Sequence, residues 1–326
     1  MRLTRRDYIF GAAALAAMAT ARETRADSGE LIEISGPAFG ADWRVRLAAE
    51  ADSAAIAAAM VGVVGAVDAA MSPYRHDSEI TRFNLTETAD WLPLSGATLA
   101  NLREARRIAA LTGGAFDPTL GGLVGRYGFG PIHQPPEGSF AGLELSADAA
   151  RKADPRQSLD LCGIAKGHAL DRAVSTLAGL GQRDFLIEIG GEVAGLGAHP
   201  QGRPWKVGIE DPRPGRAGHL HVVELAGEAL ATSGDKINSY VAGGHRYGHI
   251  IDPARHRPAE TALTSVSVFA PRGMTADALA TALFALGAEA GPELAEAQGI
   301  PALFLARDGA GLAATFTGGF ADRIIG

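Results

Sequence analysis

The stretch ADALATALFALG, Ala276–Gly287, decides how the chain is read. Asp277 and Thr281 are four positions apart, so one turn of helix puts both oxygens on the same face. Leu279, Leu283 and Leu286 fall on roughly the opposite face, and alanines fill most of the remainder. A helix that is apolar nearly all round is a buried helix. A carboxylate inside it needs a partner, because an unpaired buried charge costs several kcal/mol. The stretch leaves two readings open. With Thr275 as N-cap, Asp277 is a first-turn acid favoured by the helix dipole by about 0.3–1 kcal/mol, and Thr281 bonds back to the Asp277 carbonyl. Alternatively, the two oxygens face a metal ion.

A buried helix needs a body to be buried in. The chain has 326 residues, 47% hydrophobic and 21% charged, enough for one large domain or two small ones. A net charge of −7 and the lack of any Lys/Arg-rich run exclude a nucleic-acid binder. Aromatics make up 6% of the chain, too few for a broad stacking platform. Cys162 is the only cysteine, so no intramolecular disulfide forms. It is expected to be a small buried residue with no redox role.

The N-terminus reads TRRDYIFGAAALAAMATARETRA over Thr4–Ala26. The Arg5–Arg6 pair, the alanine-rich stretch from Tyr8 to Ala21 and the small-residue end at Thr24–Ala26 form a charged region, an apolar region and a cleavage-site pattern. The apolar stretch is shorter than the ~20 residues of a spanning helix. A twin-arginine signal peptide is expected over 1–26, with a mature domain over 27–326 in the periplasm. No other stretch is expected to span a bilayer, so no stable membrane anchor remains after cleavage.

Along the mature chain, LIEISGPAFGADWRVRLAAE predicts two strands around a glycine-containing turn. Residues 52–71 predict a helix, SPYRHDSEITRFN a polar loop, and ATLANLREARRIAALTGG an amphipathic helix stopped by Gly113-Gly114. AFDPTLGGLVGRYGFGP predicts irregular chain, and residues 132–157 a surface loop with a short helix. SLDLCGIAKGHALDR predicts a strand ending at Asp160, a turn through Gly163 and a helix from about Ala165. Further strands are expected in FLIEIGGEVAGLG, PWKVGIEDP, LHVVELAGEALATSG, HRYGHIIDP and LTSVSVFAP, and a closing hairpin in ALFLARDGAGLAATFTGGF. Paired strands with irregularly placed helices make an α+β fold: one large domain of mixed or antiparallel sheets with flanking helices.

Some polar residues stand out. Lys166 falls at the positive end of its expected helix, against the dipole, where a bound anion would repair the mismatch. Asp117 follows a helix end; Thr232, Ser233 and Asp235 share a tight loop; His249 and Asp252 end a strand. Each has an ordinary structural explanation, since the Asp-Pro pairs at 117–118 and 252–253 initiate turns. No P-loop, zinc spacing or G-x-S-x-G elbow is present.

Taken in order, MSPYRHDSEITRFN, GGAFDPTLGGLVGRYGFGP, LDLCGIAKGHALD, FLIEIGGEV, ALATSGDK, HIIDP and ADALATALFALG resemble the ApbE family of FAD:protein FMN transferases from about Ser35 to Gly319. The resemblance implies an enzyme that uses Mg²⁺ and FAD, moves FMN onto a Thr or Ser of another protein as a phosphodiester, and releases AMP. It implies metal contacts from the Gly163 carbonyl, Asp277 and Thr281, with Ala280 close by. It implies FAD contacts from Phe39, Tyr74, Ala115, Phe116, Asp117, Asp160, Lys166 and Ile251. At Phe39 the chain reads FGADW, where the family often has MGTxW. Many relatives are lipoproteins with a cysteine after the signal; this chain has none there.

The acceptor implied is a flavoprotein of a membrane electron-transfer system. Its hydroxyl must lose a proton, for which His249 is the first candidate and Asp235 the second. Two other functions use the same residues: a Mg²⁺-dependent FAD pyrophosphatase with water as nucleophile, and a non-catalytic FAD carrier.

Overall fold

The computed structural model describes residues 22–25, 31–133, 138–309 and 311–326. The signal peptide expected over 1–26 lies outside the described residues, except that Arg22–Arg25 form strand β1. The alternation of 31–48 produces the expected hairpin, β2 (Leu31–Ala38) and β3 (Ala41–Ala48). Phe39 and Gly40 turn it with φ of 51° and 80°. Two successive positive φ values match the twist of a tight hairpin. Phenylalanine adopts that conformation only at a steric cost that glycine escapes.

The remaining strands of the main sheet are β4 (Phe185–Ile189), β5 (Glu192–Leu196), β6 (Ala229–Gly234), β7 (Leu263–Ala270), β8 (Ala302–Asp308) and β9 (Gly311–Thr317). The nine strands lie side by side in chain order. Each neighbouring pair is antiparallel, so the sheet is one long meander. Helices and small sheets are insertions between its strands. They are α1 (Ser53–Met71), α2 (Glu79–Leu85), α3 (Gly96–Leu111), α4 (Gly121–Arg126), α5 (Cys162–Gly179) and α6 (Gly273–Ala297).

Period-two alternation assigns the two faces. Ile187 and Val268 point to the larger core, which also holds residues of α1, α5 and α6. Their neighbours Leu186 and Phe269 point to the other core, closed by Trp205, Ile209, Val223 and Phe320. On α1 a stripe of Ile56, Met60, Val63, Val67 and Met71 is buried. Its outward face is alanine and glycine with an exposed Val61, which leaves α1 long and apolar enough to cross a membrane, at 19 residues and mean hydropathy 2.0. That corrects the expectation that no second stretch has this character.

Several local expectations are also corrected. The polar segment after Met71 contains α2, capped by the Ser78 hydroxyl, which accepts from Thr81 N–H at 3.1 Å. Short polar sequences hide helices of this length because only Ile80, Phe83 and Asn84 are buried. The glycine-rich stretch after Asp117 contains α4. Within 132–157 the chain makes a 3₁₀ turn, Phe140–Gly142, and strands Leu143–Leu145 and Ala149–Lys152.

Helix α6 begins at Gly273, with Arg272 rather than Thr275 in the cap position, and is broken at Gly287 (φ 84°). Its first amides are capped from another helix. Asp171 of α5 accepts Gly273 N–H at 2.5 Å and Met274 N–H at 3.2 Å. Asp277 therefore lies beyond the first turn, and the N-cap reading of its role fails.

Candidate active site

Helix α5 starts at Cys162, three residues earlier than expected, and residues 158–161 form no strand. Asn84 holds that stretch: its amide donates to the Leu159 carbonyl at 2.8 Å and accepts Leu159 N–H at 2.7 Å. Asp160 then accepts Cys162 N–H at 2.8 Å and opens the helix. The Cys162 side chain is exposed, which corrects its expected burial. It is the first residue of α5, where the sequence reading had placed a turn.

Gly163, Asp277 and Thr281 come together where α5 crosses α6. A Cβ on Gly163 would sit 3.2 Å from Thr281 Oγ1 and 3.2 Å from the Phe116 ring. Thr281 Oγ1 is 3.2 Å from Ser233 Oγ. Asp277 is buried, and its Oδ2 accepts Gly167 N–H at 2.9 Å. The regular acceptor for that N–H is the Gly163 carbonyl, four residues back. Ala280 is fully buried between the two polar positions.

Lys166 finds its anion within the chain. It pairs with Glu192, which is 1% exposed and whose Oε2 has no hydrogen-bond partner among the described residues. Sequence reasoning passed over Glu192; the only signal was a carboxylate after the Gly190-Gly191 bend of an apolar hairpin. Burial alone would lower the Lys166 ammonium, but Glu192 and Asp277 hold it above the ordinary lysine value. Burial raises the carboxyls of Glu192 and Asp277, with Lys166 opposing. Two buried carboxylates thus share one ammonium.

His249 is half-buried beside this cluster. Its Nδ1 lies 3.2 Å from the Asn238 carbonyl. An Nδ1–H donated there leaves the Nε2 lone pair free. Burial lowers its pKa, Lys166 lowers it further, and Asp160 and Asp235 pull the other way. Asp235 itself is paired with Arg307.

A wall of rings, not anticipated from sequence, stands beside His249. Phe129 stacks on Tyr240 at 5.3 Å and meets His249 edge-on at 6.4 Å, and Tyr240 stacks on Tyr247 at 5.3 Å. Tyr240 and Tyr247 face each other only because Ser239–Ala242 pairs with His245–Gly248. Tyr74 reaches the same wall, donating to the Phe129 carbonyl at 3.1 Å.

Other expected residues hold the frame. Asp117 accepts from Thr119 N–H (2.8 Å), Thr119 Oγ1 (2.6 Å) and Phe140 N–H (3.1 Å). Phe116 is buried, and Ala115 is half-buried beside it. Ile251 packs with Leu120 and Leu123. Asp252 accepts Ala254 N–H at 2.9 Å, the turn its Asp-Pro pair implied. Among the described residues no cluster of three or more His, Cys, Asp or Glu is placed to hold a metal. A separate cavity of about 890 Å³ lies further along α5, lined by His168, Asp171 and Arg172; none of the expected site residues lines it.

An antiparallel meander carrying a buried Lys–carboxylate cluster, the Gly163–Asp277–Thr281 meeting point and a wall of stacked rings describes an enzyme site with faces suited to a planar ligand. The ApbE family profile matches residues 39–304, and the chain belongs to that family. The FAD:protein FMN transferase of Vibrio cholerae is 35% identical over 294 residues, 85% of this chain and 88% of that protein. The Haemophilus influenzae FAD:protein FMN transferase is 32% identical, with 91% of each chain covered. The solved Vibrio cholerae flavin transferase ApbE superposes with TM-score 0.82 at 33% identity, over 90% of this chain and 99% of that one. The apo Pseudomonas stutzeri flavinyl transferase ApbE superposes with TM-score 0.81 at 31% identity, over 90% and 96%. The chain is a flavin transferase of this family.

Proposed function

We propose that the chain transfers FMN from FAD to a Thr or Ser hydroxyl of an acceptor flavoprotein in a membrane electron-transfer system, with Mg²⁺ bound and AMP released. The observation that carries this is the meeting of Gly163, Asp277 and Thr281 beside His249.

The residues fit Mg²⁺. The set is a carbonyl, a carboxylate and a hydroxyl, all hard oxygen donors, to which phosphate oxygens and water would add the rest of a six-oxygen shell. Two buried carboxyls, Asp277 and Glu192, face the single ammonium of Lys166; burial raises both, Glu192 to about 8, and the Glu192 Oε2 has no partner among the described residues, so a cation bound there would favour their ionised forms. When bound there, Mg²⁺ would neutralise Asp277 and polarise the phosphoryl oxygens.

The chain's own groups do the rest. The N-terminus of α5 offers the positive end of its dipole to an incoming phosphate. Tyr74, Phe129, Tyr240 and Tyr247 offer ring faces to the flavin or adenine. His249 Nε2 takes the proton of the acceptor hydroxyl as its oxygen bonds to the FMN phosphorus. The bond from the FMN phosphorus to the bridging oxygen breaks, and AMP leaves carrying that oxygen. Asp235 is the second candidate for this proton; its carboxylate is already engaged by Arg307.

Export completes the reading. The Arg5–Arg6 pair and the short apolar stretch after it support a twin-arginine signal and a periplasmic location.

The test mixes the mature chain with FAD, Mg²⁺ and a soluble acceptor domain, and records the acceptor's intact mass with AMP and FMN. A gain of one FMN, lost when Mg²⁺ is omitted, is the expected outcome. Free FMN and AMP with unmodified acceptor would mean water is the nucleophile. Intact FAD in every tube would reduce the chain to a carrier.

A further inference from the structure

We propose that the cavity of about 890 Å³ further along α5 is a second binding site, built for a small amphipathic anion: a carboxylate or phosphate head on an apolar body. It lies apart from the residues of the transfer site and stands independently of that reading.

His168 marks the polar end. It lines the cavity and is 5% exposed, yet neither ring nitrogen has a hydrogen-bond partner among the described residues. Buried polar atoms are almost always paired, so a ring with two open nitrogens points to a group that comes from outside the chain. His168, Asp171, Arg172 and Ser175 fall at i, i+3, i+4 and i+7, one face of α5, and all four line the cavity. The charges on that lining are unequally engaged. Asp171 accepts the N–H groups of Gly273 and Met274, and Glu228 accepts from Arg323 Nη2 at 2.6 Å. Arg172 is exposed and pairs with no carboxylate among the described residues, and Arg272 comes no closer than 3.7 Å to Asp171. Burial, with the fields of Arg172 and Arg272, holds the His168 pKa down to about 4, so the ring is neutral at pH 7 and offers one N–H. An N–H beside two loosely engaged guanidinium groups is a receptor for an oxyanion.

The rest of the lining calls for an apolar body. Helix α1 contributes one unbroken face, from Ala59 through Val63 and Val67 to Met71, which runs roughly 18 Å along the helix. Ala66 of α1 faces the cavity together with Ala97 and Ala100 of α3, and these small side chains leave it wide. Apolar walls with a few converging polar groups, in a volume on the order of 300–1,000 Å³, are the ordinary form of a small-molecule site. Water would satisfy the His168 ring but gains nothing from the α1 wall. A ligand with an anionic head and an apolar body satisfies both.

The mature chain is titrated with decanoate, decyl phosphate, decanol and inorganic phosphate, with and without saturating FAD. Heat of binding and Tm are recorded. At least one of the two anionic amphiphiles is expected to bind once per chain and raise Tm, and the tighter of the two names the head group. Decanol and inorganic phosphate are each expected to bind about tenfold more weakly or worse. Arg172→Glu is expected to weaken the anionic amphiphiles about tenfold and leave decanol unchanged. Ala66→Trp, which fills the apolar end, is expected to weaken decanol and the anionic amphiphiles alike. Both variants should keep the wild-type Tm without ligand and the wild-type rate of FMN transfer. No saturable binding of either anionic amphiphile leaves the cavity to water and overturns the proposal. Decanol as tight as the anionic amphiphiles overturns the anionic head, and inorganic phosphate as tight as decyl phosphate overturns the apolar body. Binding that FAD abolishes, or that neither substitution alters, places the probe elsewhere and overturns the site.

Discussion

Asp277 on α6 accepts the N–H of Gly167 on α5 at 2.9 Å, a bond from the helix that carries Gly163 to the one that carries Thr281. The two helices touch backbone to backbone at this point. A Cβ on Gly273 would sit 2.6 Å from the Gly167 carbonyl oxygen, and one on Gly167 would overlap the Gly273 carbonyl. Two glycines thus set the crossing distance, and the crossing sets where Gly163, Asp277 and Thr281 meet.

Gly167→Ala tests that dependence. The new methyl meets main chain, which cannot swing aside as a flexible side-chain end can. The helices must part, at a cost of about 1–3 kcal/mol. A lowered denaturation midpoint is expected, with transfer falling further than the loss of folded protein explains. Normal transfer per folded molecule would show that the site tolerates a wider crossing.

Asp277→Asn should separate stability from activity. Burial raises the Asp277 carboxyl, so its ionisation opposes folding once pH exceeds its unfolded pKa of about 3.8. Asparagine keeps an oxygen for Gly167 and removes the charge. The variant should melt higher than wild type at pH 7 without Mg²⁺, and the gain should shrink toward pH 3. Added Mg²⁺ should raise the wild-type Tm and leave the variant unmoved. Transfer should be lost. Calorimetry at the two pH values, with and without Mg²⁺, checks each part.

The parts of the fold and of the Asp277–Thr281 helix that are legible in the sequence carry local signals. An i,i+4 pair in a greasy helix and strand alternation in 31–48 and 263–270 survive without tertiary context. What it withheld depends on partners distant in the chain. Lys166 looked as if it awaited an external anion because Glu192 is 26 positions away. Thr275 looked like a cap because the actual cap, Asp171, lies on another helix. The ring wall became visible only once a hairpin set Tyr240 opposite Tyr247. Helix α2 was missed because its seven residues are too few for a periodic pattern.

His168 should govern acid stability. It is 5% exposed, neither ring nitrogen has a partner among the described residues, and burial together with Arg172 and Arg272 pushes its pKa down to about 4. The unfolded chain takes up this proton near pH 6.5 and the folded chain only near pH 4. Folding stability is therefore lost as pH falls across that window, by about 3 kcal/mol. His168→Leu should flatten the decline. Urea midpoints at pH 7, 5.5 and 4 measure it, and a parallel decline in both proteins would assign the acid sensitivity to other groups.

His249 should set the acidic limb of transfer. Burial and the Lys166 ammonium lower its pKa, and Asp160 and Asp235 oppose them without reversing the sign. Its neutral, proton-accepting form therefore persists below pH 6.5. The midpoint of the fall in kcat/KM is expected under 6.5, not at the value of a free imidazole. His249→Ala should lower transfer on the order of 10²–10⁴-fold and abolish this limb, with FAD still bound. The ring also touches Phe129, so loss of activity alone would not separate proton transfer from packing. His249→Gln separates them, because its amide can reach the same carbonyl yet cannot take a proton. A Gln variant as slow as the Ala variant, and without the acidic limb, supports the base. Near-normal transfer by the Gln variant would leave His249 a positioning residue and move the proton to Asp235.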